Sequence, residues 1–106
     1  MTTQAARSAY EELTDNLATE EGVTVADEGL LVHGKLFAFL ENDNLVVELP
    51  LARAEDLEAR GVAAKFHSDT HPATRHWVQL SDRELWPELA GEAHEYVGEP
   101  AFGGQS

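Results

Sequence analysis

Residues 30–49 read LLVHGKLFAFLENDNLVVEL and carry the strongest secondary-structure signal in the chain. Two apolar runs flank His33 and Gly34, and a glycine suits the tight turn of a hairpin. A second turn is expected at residues 41–44, because Asn and Asp tolerate left-handed backbone conformations. Residues 45–49 then return as a third strand. The stretch therefore predicts three antiparallel strands in a meander.

The middle strand of this meander is apolar on both sides. Strict alternation places Leu36, Ala38 and Leu40 on one face. It places Phe37 and Phe39 on the other face. A sheet with one solvated face does not show this pattern. We therefore expect the face with the two phenylalanines to be covered, either by a second copy of the chain or by one of the terminal helices.

Helices are predicted on both sides of the meander from the spacing of apolar residues. The first helix carries four apolar residues on one face, namely Ala6, Tyr10, Leu13 and Leu17. The second begins near Pro50, which fits a first helical turn, and ends at Gly61, which fits the position after the C-cap. The last helix has an apolar stripe over residues 85–97. Its start has two interpretations: a capping box of Ser81 with Glu84, or a later start marked by Pro87.

Further strands are predicted at residues 23–26, 63–67 and 76–80. The element order is therefore α-β-β-β-β-α-β-β-α, which predicts an α+β, two-layer domain with three helices. Its sheet is expected to be mostly antiparallel and five- or six-stranded. Residues 1–97 are predicted to form a single domain, and residues 98–106, with three Gly and one Pro, a flexible tail.

Charge and composition exclude several classes of function. The chain holds 20 acidic and 7 basic residues and no Cys, for a formal charge of −13. Without Cys there is no disulfide, thiol catalysis or cysteine metal site. Nucleic acid is not expected as a partner, because its binders cluster Lys and Arg. No apolar run approaches the roughly 18 residues of a membrane span, and no signal-peptide pattern is present, so we expect a cytoplasmic protein without membrane contact.

The chain resembles the TfoX N-terminal domain family over residues 8–97. The most specific match is the Gly-Lys-x-Phe-Ala segment at residues 34–38, and the Leu-Pro pair at 49–50 and the Trp-Val pair at 77–78 add order and spacing. The remaining matches are Arg53, Leu57, Gly61, Phe66, Trp86, Leu89, Ala90, Ala93, Tyr96 and Val97. The resemblance implies a small α+β domain with an antiparallel sheet and no catalytic residues. The family is named for bacterial competence regulators, which suggests a regulatory role.

One concentration of metal-type ligands lies in the loop from His67 to His76, which also holds Asp69 and His71. Imidazole and carboxylate groups suit zinc or another divalent transition ion, and alternate residues of an extended segment can point the same way. The alternative is that these are loop side chains exposed to solvent. No nucleophile elbow and no phosphate-binding glycine loop is present, so we expect neither an enzyme nor a cofactor.

Five residues are candidates for binding a partner, namely Lys35, Phe37, Phe39, Arg53 and Trp77. The aromatic members can line a groove or belong to the core. Arg53 can form an internal salt bridge or bind an anionic group. The leading hypothesis is an acidic homodimer that acts as a non-enzymatic regulatory or protein-interaction module for a basic protein partner. The alternative is a small-molecule or divalent-metal binding domain that uses the loop from His67 to His76.

Overall fold

A six-stranded antiparallel sheet with helices packed on it forms the framework of the computed structural model, which describes residues 3–66 and 77–98. The elements of these two ranges are, in chain order, α1 Gln4–Leu17, β1 Val23–Ala26, β2 Gly29–Val32, β3 Lys35–Glu41, β4 Asn44–Glu48, α2 Leu51–Ala59, β5 Ala64–Lys65, β6 Trp77–Leu80, a 3₁₀ turn Arg83–Leu85 and α3 Trp86–Gly98. The predicted α+β class and element order are confirmed. Gly98 ends α3, and residues 99–106 lie outside the described ranges.

The strand order is β1-β2-β3-β4-β6-β5, and every neighbouring pair is antiparallel. The first four strands form a meander, as the hairpin signals predict. The turn between β2 and β3 has positive φ at His33 (53°) and Gly34 (82°), which is typical of a type I′ hairpin. Strand β6 lies between β4 and β5, so the chain passes through α2 and β5 before returning beside β4.

Local sequence signals set the end of α2. Gly61 has a φ of 78°, a left-handed conformation that glycine adopts without strain. The Val62 N–H donates to the Leu57 carbonyl at 3.1 Å, and the Gly61 N–H donates to the Glu58 carbonyl at 3.1 Å. These two bonds form a Schellman motif, and Leu57 and Val62 both pack on the core. The predicted helix stop at Gly61 is confirmed.

The start of the last helix follows the Pro87 interpretation. A 3₁₀ turn comes first, and the Glu84 N–H donates to Asp82 Oδ1 at 3.0 Å. Regular α-helix begins at Trp86, which puts Pro87 in the first turn, where a missing N–H costs no hydrogen bond. The capping-box interpretation is wrong, because the capping side chain is that of Asp82 rather than Ser81.

A β-bulge in β3 exchanges the predicted faces of Leu36 and Phe37, so that Leu36 packs beside Phe39 and Phe37 packs beside Ala38. Leu31 of β2 pairs with Leu36, but its neighbour Leu30 pairs with Ala38, so Phe37 is an extra residue in β3. An extra residue breaks strict alternation. Phe37 therefore joins Ala38 in the core on the helix side, where its ring meets that of His94 on α3 at a centroid distance of 5.6 Å.

Both faces of the sheet are apolar, as expected. The larger cluster lies between the sheet and the helices, and its members from the helices include Ala6, Leu13, Ala54, Leu57, Trp86, Leu89, Ala90 and Ala93. A smaller cluster on the far face is formed by Phe39, Val46 and Trp77, with Leu36 and Phe66 packed against it. The terminal helices α1 and α3 contribute their buried residues to the first cluster, so the prediction that one of them covers Phe39 is wrong.

Within the described ranges, no helix combines the length and apolar character that crossing a membrane requires.

Candidate functional site

The five predicted binding residues do not form one site. Phe39 and Trp77 are in contact on the far face, with ring centroids 5.4 Å apart, and Phe37 lies on the opposite face. Lys35 is exposed at the first position of β3, and Arg53 lies on α2. Phe39 and Trp77 are only 5% and 4% exposed. These aromatic side chains therefore belong to the core.

The candidate metal ligands His67, Asp69, His71 and His76 all lie outside the described residues. In the part of the chain that the structure does describe, no group of three or more His, Asp or Glu side chains could hold a metal ion. Metal binding by the loop thus stays a prediction.

A cleft between the start of α2 and the second half of α3 is the candidate site that the tertiary structure adds. Its volume is about 420 Å³, and its lining residues are Pro50, Arg53, Glu92, Glu95 and Tyr96. A pocket of this size falls within the range of sites that hold small ligands or a few side chains of a partner. We refer to it below as the α2–α3 cleft.

Arg53 and Glu92 join the two helices across the cleft. Arg53 Nε donates to Glu92 Oε1 at 2.9 Å, and Arg53 Nη2 donates to Glu92 Oε2 at 2.9 Å. A weaker contact runs from Arg53 Nη1 to Asp56 Oδ2 at 3.4 Å. This bidentate arrangement gives both charge neutralisation and a fixed orientation. The internal salt bridge, one of the two interpretations of Arg53, is therefore present in the structure, with its main partner on α3.

The cleft has an excess of negative charge. The hydrogen bonds to Glu92, helped by the charges of Glu92, Asp56 and Glu88, raise the pKa of Arg53 above its ordinary value. Glu95 adds a further exposed carboxylate to the lining. The lining thus holds one positive charge, on Arg53, and two negative charges, on Glu92 and Glu95, so the field of the cleft attracts cations.

The cleft lining includes apolar surface that is open to solvent. Pro50 lies at its α2 end, and Tyr96 of the lining is 41% exposed. A tyrosine ring also attracts a cation above its face. The cleft therefore combines apolar surface, an aromatic ring and carboxylates.

Sequence reasoning identified Arg53 but missed Glu92, Glu95 and the exposure of Tyr96. The two glutamates belong to the polar face of the last helix, and nothing in the helical pattern distinguishes them from Glu84 and Glu88. The role of Glu92 depends on its contact with Arg53, 39 positions away along the chain, and Glu95 joins the site through its place in the cleft lining. Tyr96 belongs to the apolar stripe by spacing, and a stripe does not reveal which of its members the core leaves exposed.

No family model, no curated protein and no solved structure matches the chain.

Proposed function

We propose that this chain is a non-enzymatic protein-interaction module that binds a basic segment of a protein partner in the α2–α3 cleft. The observation that supports it is the composition of the cleft, in which Glu92 and Glu95 line the same surface as Pro50 and the exposed side chain of Tyr96. A lysine or arginine of the partner can lie between the Glu95 carboxylate and the Tyr96 ring, while an adjacent apolar residue contacts Pro50.

An anionic ligand fits the cleft less well. The guanidinium of Arg53 already donates two hydrogen bonds to Glu92 at 2.9 Å, so an incoming anion has to displace a bidentate carboxylate. It must also approach Glu95 against charge repulsion. The net charge of −13 acts in the same direction over longer distances and favours association with basic partners.

The regulatory setting of this module is a second part of the proposal. The resemblance to the TfoX N-terminal domain family supports a regulatory role, and the proposal includes a cytoplasmic location. Formation of a homodimer also remains a prediction. The α2–α3 cleft does not require it, since all five lining residues belong to one chain.

A titration with short fluorescent peptides tests the proposed function. One peptide is rich in Arg and Leu, and its matched counterpart carries Glu in place of every Arg. We expect the basic peptide to bind, the acidic one not to bind, and the binding to weaken as salt rises to about 0.3 M, since screening shortens the reach of exposed charges. Fluorescence anisotropy reports the affinity in each case.

Matched variants locate the peptide. Glu95→Gln and Tyr96→Ala are expected to weaken binding by about threefold to tenfold each, by loss of a close carboxylate and of the aromatic surface. Glu12→Gln makes the same change of charge at an exposed position of α1, outside both the cleft and the edge of the sheet, and should leave the affinity unchanged. Equal weakening by Glu12→Gln and Glu95→Gln would contradict a defined site and indicate attraction by net charge alone.

A further inference from the structure

The outer edge of β1 is a second surface with features of a binding site. Strand β1 is first in the order β1-β2-β3-β4-β6-β5, so among the described residues only β2 pairs with it. An edge strand presents backbone donors and acceptors on its outer side, and another chain can pair with them. The question is which groups of β1 point outward.

The register of the first hairpin answers this question. Ala26 pairs with Gly29 across a two-residue loop, and the His33 N–H donates to the Gly22 carbonyl at 3.0 Å. Hydrogen-bonded and non-hydrogen-bonded pairs alternate along an antiparallel ladder. The inward-bonded residues of this segment are therefore Gly22, Thr24 and Ala26.

The outward residues are Val23 and Val25. The Val23 N–H donates to the Glu20 carbonyl at 3.3 Å, and this bond agrees with an N–H that points away from β2. The N–H and C=O of Val25 and the C=O of Val23 thus point away from the sheet. The Val25 side chain is 48% exposed, although its partner Leu30 is fully buried, so Val25 lies at the margin of the core.

Acidic residues lie at both ends of this edge. They are exposed and comprise Glu20, Glu21, Asp27 and Glu28. A second copy pairing antiparallel with β1 would place the acids at one end of its strand beside the acids at the opposite end of the first strand, and like charges across a strand pair are destabilising. An extended segment with Lys or Arg near its ends instead meets opposite charge at both ends.

From this combination we propose that β1 accepts an extended basic segment of a protein partner as an additional strand of the sheet. Main-chain hydrogen bonds to Val25 and Val23 hold the segment, and an apolar residue of the segment packs beside Val25. Basic residues at its two ends pair with the acidic groups that flank β1. This surface is separate from the α2–α3 cleft and rests on different observations, so each proposal can fail alone.

Amide hydrogen exchange measured by NMR on the wild-type chain tests the docking directly. The probe is a peptide of alternating Lys and Val, with a peptide of alternating Glu and Val as its control. We expect the Lys-Val peptide to slow exchange of the Val25 amide, while the Thr24 amide, already bonded to β2, is unchanged. The proposal would be overturned if the peptide binds without slowing exchange of the Val25 amide. It would also be overturned if no binding is seen at a peptide concentration of about 1 mM, since a Kd above that value is a very weak affinity.

Two substitutions at one position separate backbone from side chain. Val25→Pro removes the outward N–H but no bond to β2, and proline is tolerated in edge strands when its missing N–H faces solvent. Val25→Pro should lower the affinity for the Lys-Val peptide by about tenfold, because main-chain hydrogen bonds to the peptide are lost. Val25→Thr keeps the N–H, and its affinity should stay within about twofold of the wild-type value. Equal affinity of the two variants, with both shown by circular dichroism to be folded, would refute strand addition.

Discussion

Replacement of Arg53 by Gln removes the cation of the α2–α3 cleft and should change stability and partner binding in opposite directions. The guanidinium binds both oxygens of Glu92 at 2.9 Å and contacts Asp56 at 3.4 Å. Without it, α2 loses a link to α3, but the carboxylate of Glu92 becomes available to a basic side chain of the partner. A fall in stability together with a rise in affinity is an unusual combination, and it follows directly from this geometry.

The loss of stability is modest. The side chains of Arg53 and Glu92 are 33% and 35% exposed, so solvent screens the pair, and exposed pairs contribute at most about 1 kcal/mol. For a domain of this size, 1 kcal/mol lowers the Tm by about 4–8 °C. The variant should therefore remain folded at room temperature.

The gain in affinity comes from the removed repulsion. A cation of the partner about 6 Å from the guanidinium is repelled by about 0.7–1.4 kcal/mol at an effective dielectric constant of roughly 40–80. Removing this repulsion corresponds to about threefold to tenfold tighter binding. Thermal unfolding followed by circular dichroism measures the first effect, and fluorescence anisotropy with the Arg-Leu peptide measures the second.

Arg53→Lys is the matched control. Lysine keeps the charge but cannot donate the bidentate pair, so it should lose part of the stability and bind the Arg-Leu peptide as the wild type does. Weaker binding of the basic peptide by Arg53→Gln would refute the reasoning. If the wild type binds the acidic peptide and Arg53→Gln does not, the cleft is instead an anion-binding site that depends on Arg53.

Three further predictions concern the framework that positions these surfaces. Gly29→Ala should cost about 3 kcal/mol or more in unfolding free energy by urea titration, because its φ is 143° and a Cβ there meets the Ala38 carbonyl; Gly34→Ala, with φ of 82° and open space around it, should cost about 1 kcal/mol. Trp86→Phe should cost about 2 kcal/mol, because it removes the Nε1–H that donates to the buried Leu80 carbonyl at 3.0 Å. Burial raises the pKa of the Tyr10 hydroxyl above 10.0, so the stability that its neutral form contributes is complete below pH 10.0 and is lost as the pH rises through the folded pKa. Tyr10→Phe should therefore flatten the fall of Tm with pH above 10.0, and an unchanged slope would contradict this.

The α2–α3 cleft shows how far a site can be predicted from this sequence. Arg53 stands out because basic residues are rare in the chain and it lies in the first turn of a predicted helix. Its partner does not stand out, because Glu92 is one of several glutamates at helical spacing on α3. The metal-ligand pattern from His67 to His76 is the opposite case, since a clear sequence signal there has no described geometry to test it.

The failed assignment of Phe37 has a specific physical cause. Alternation along β3 is a local rule, and it holds from Ala38 to Glu41, where pairing with β4 is regular. It fails where β2 and β3 shift register beside Gly29, which has no Cβ and lets the Ala38 carbonyl approach closely. A glycine in a strand is compatible with a bulge, but its position relative to the partner strand is not visible in the sequence.

The sequence by itself determined the features that depend on neighbours a few residues apart. Turn residues determine the hairpins, Gly61 determines the end of α2, and apolar spacing determines the buried faces of the helices. Each of these features depends on residues within one or two turns of backbone. Only the tertiary structure decided the position of β6 between β4 and β5, the bulge at Phe37 and the bridge from Arg53 to Glu92. Each of these joins segments distant along the chain, and such pairings depend on how complete elements pack together rather than on local backbone preference.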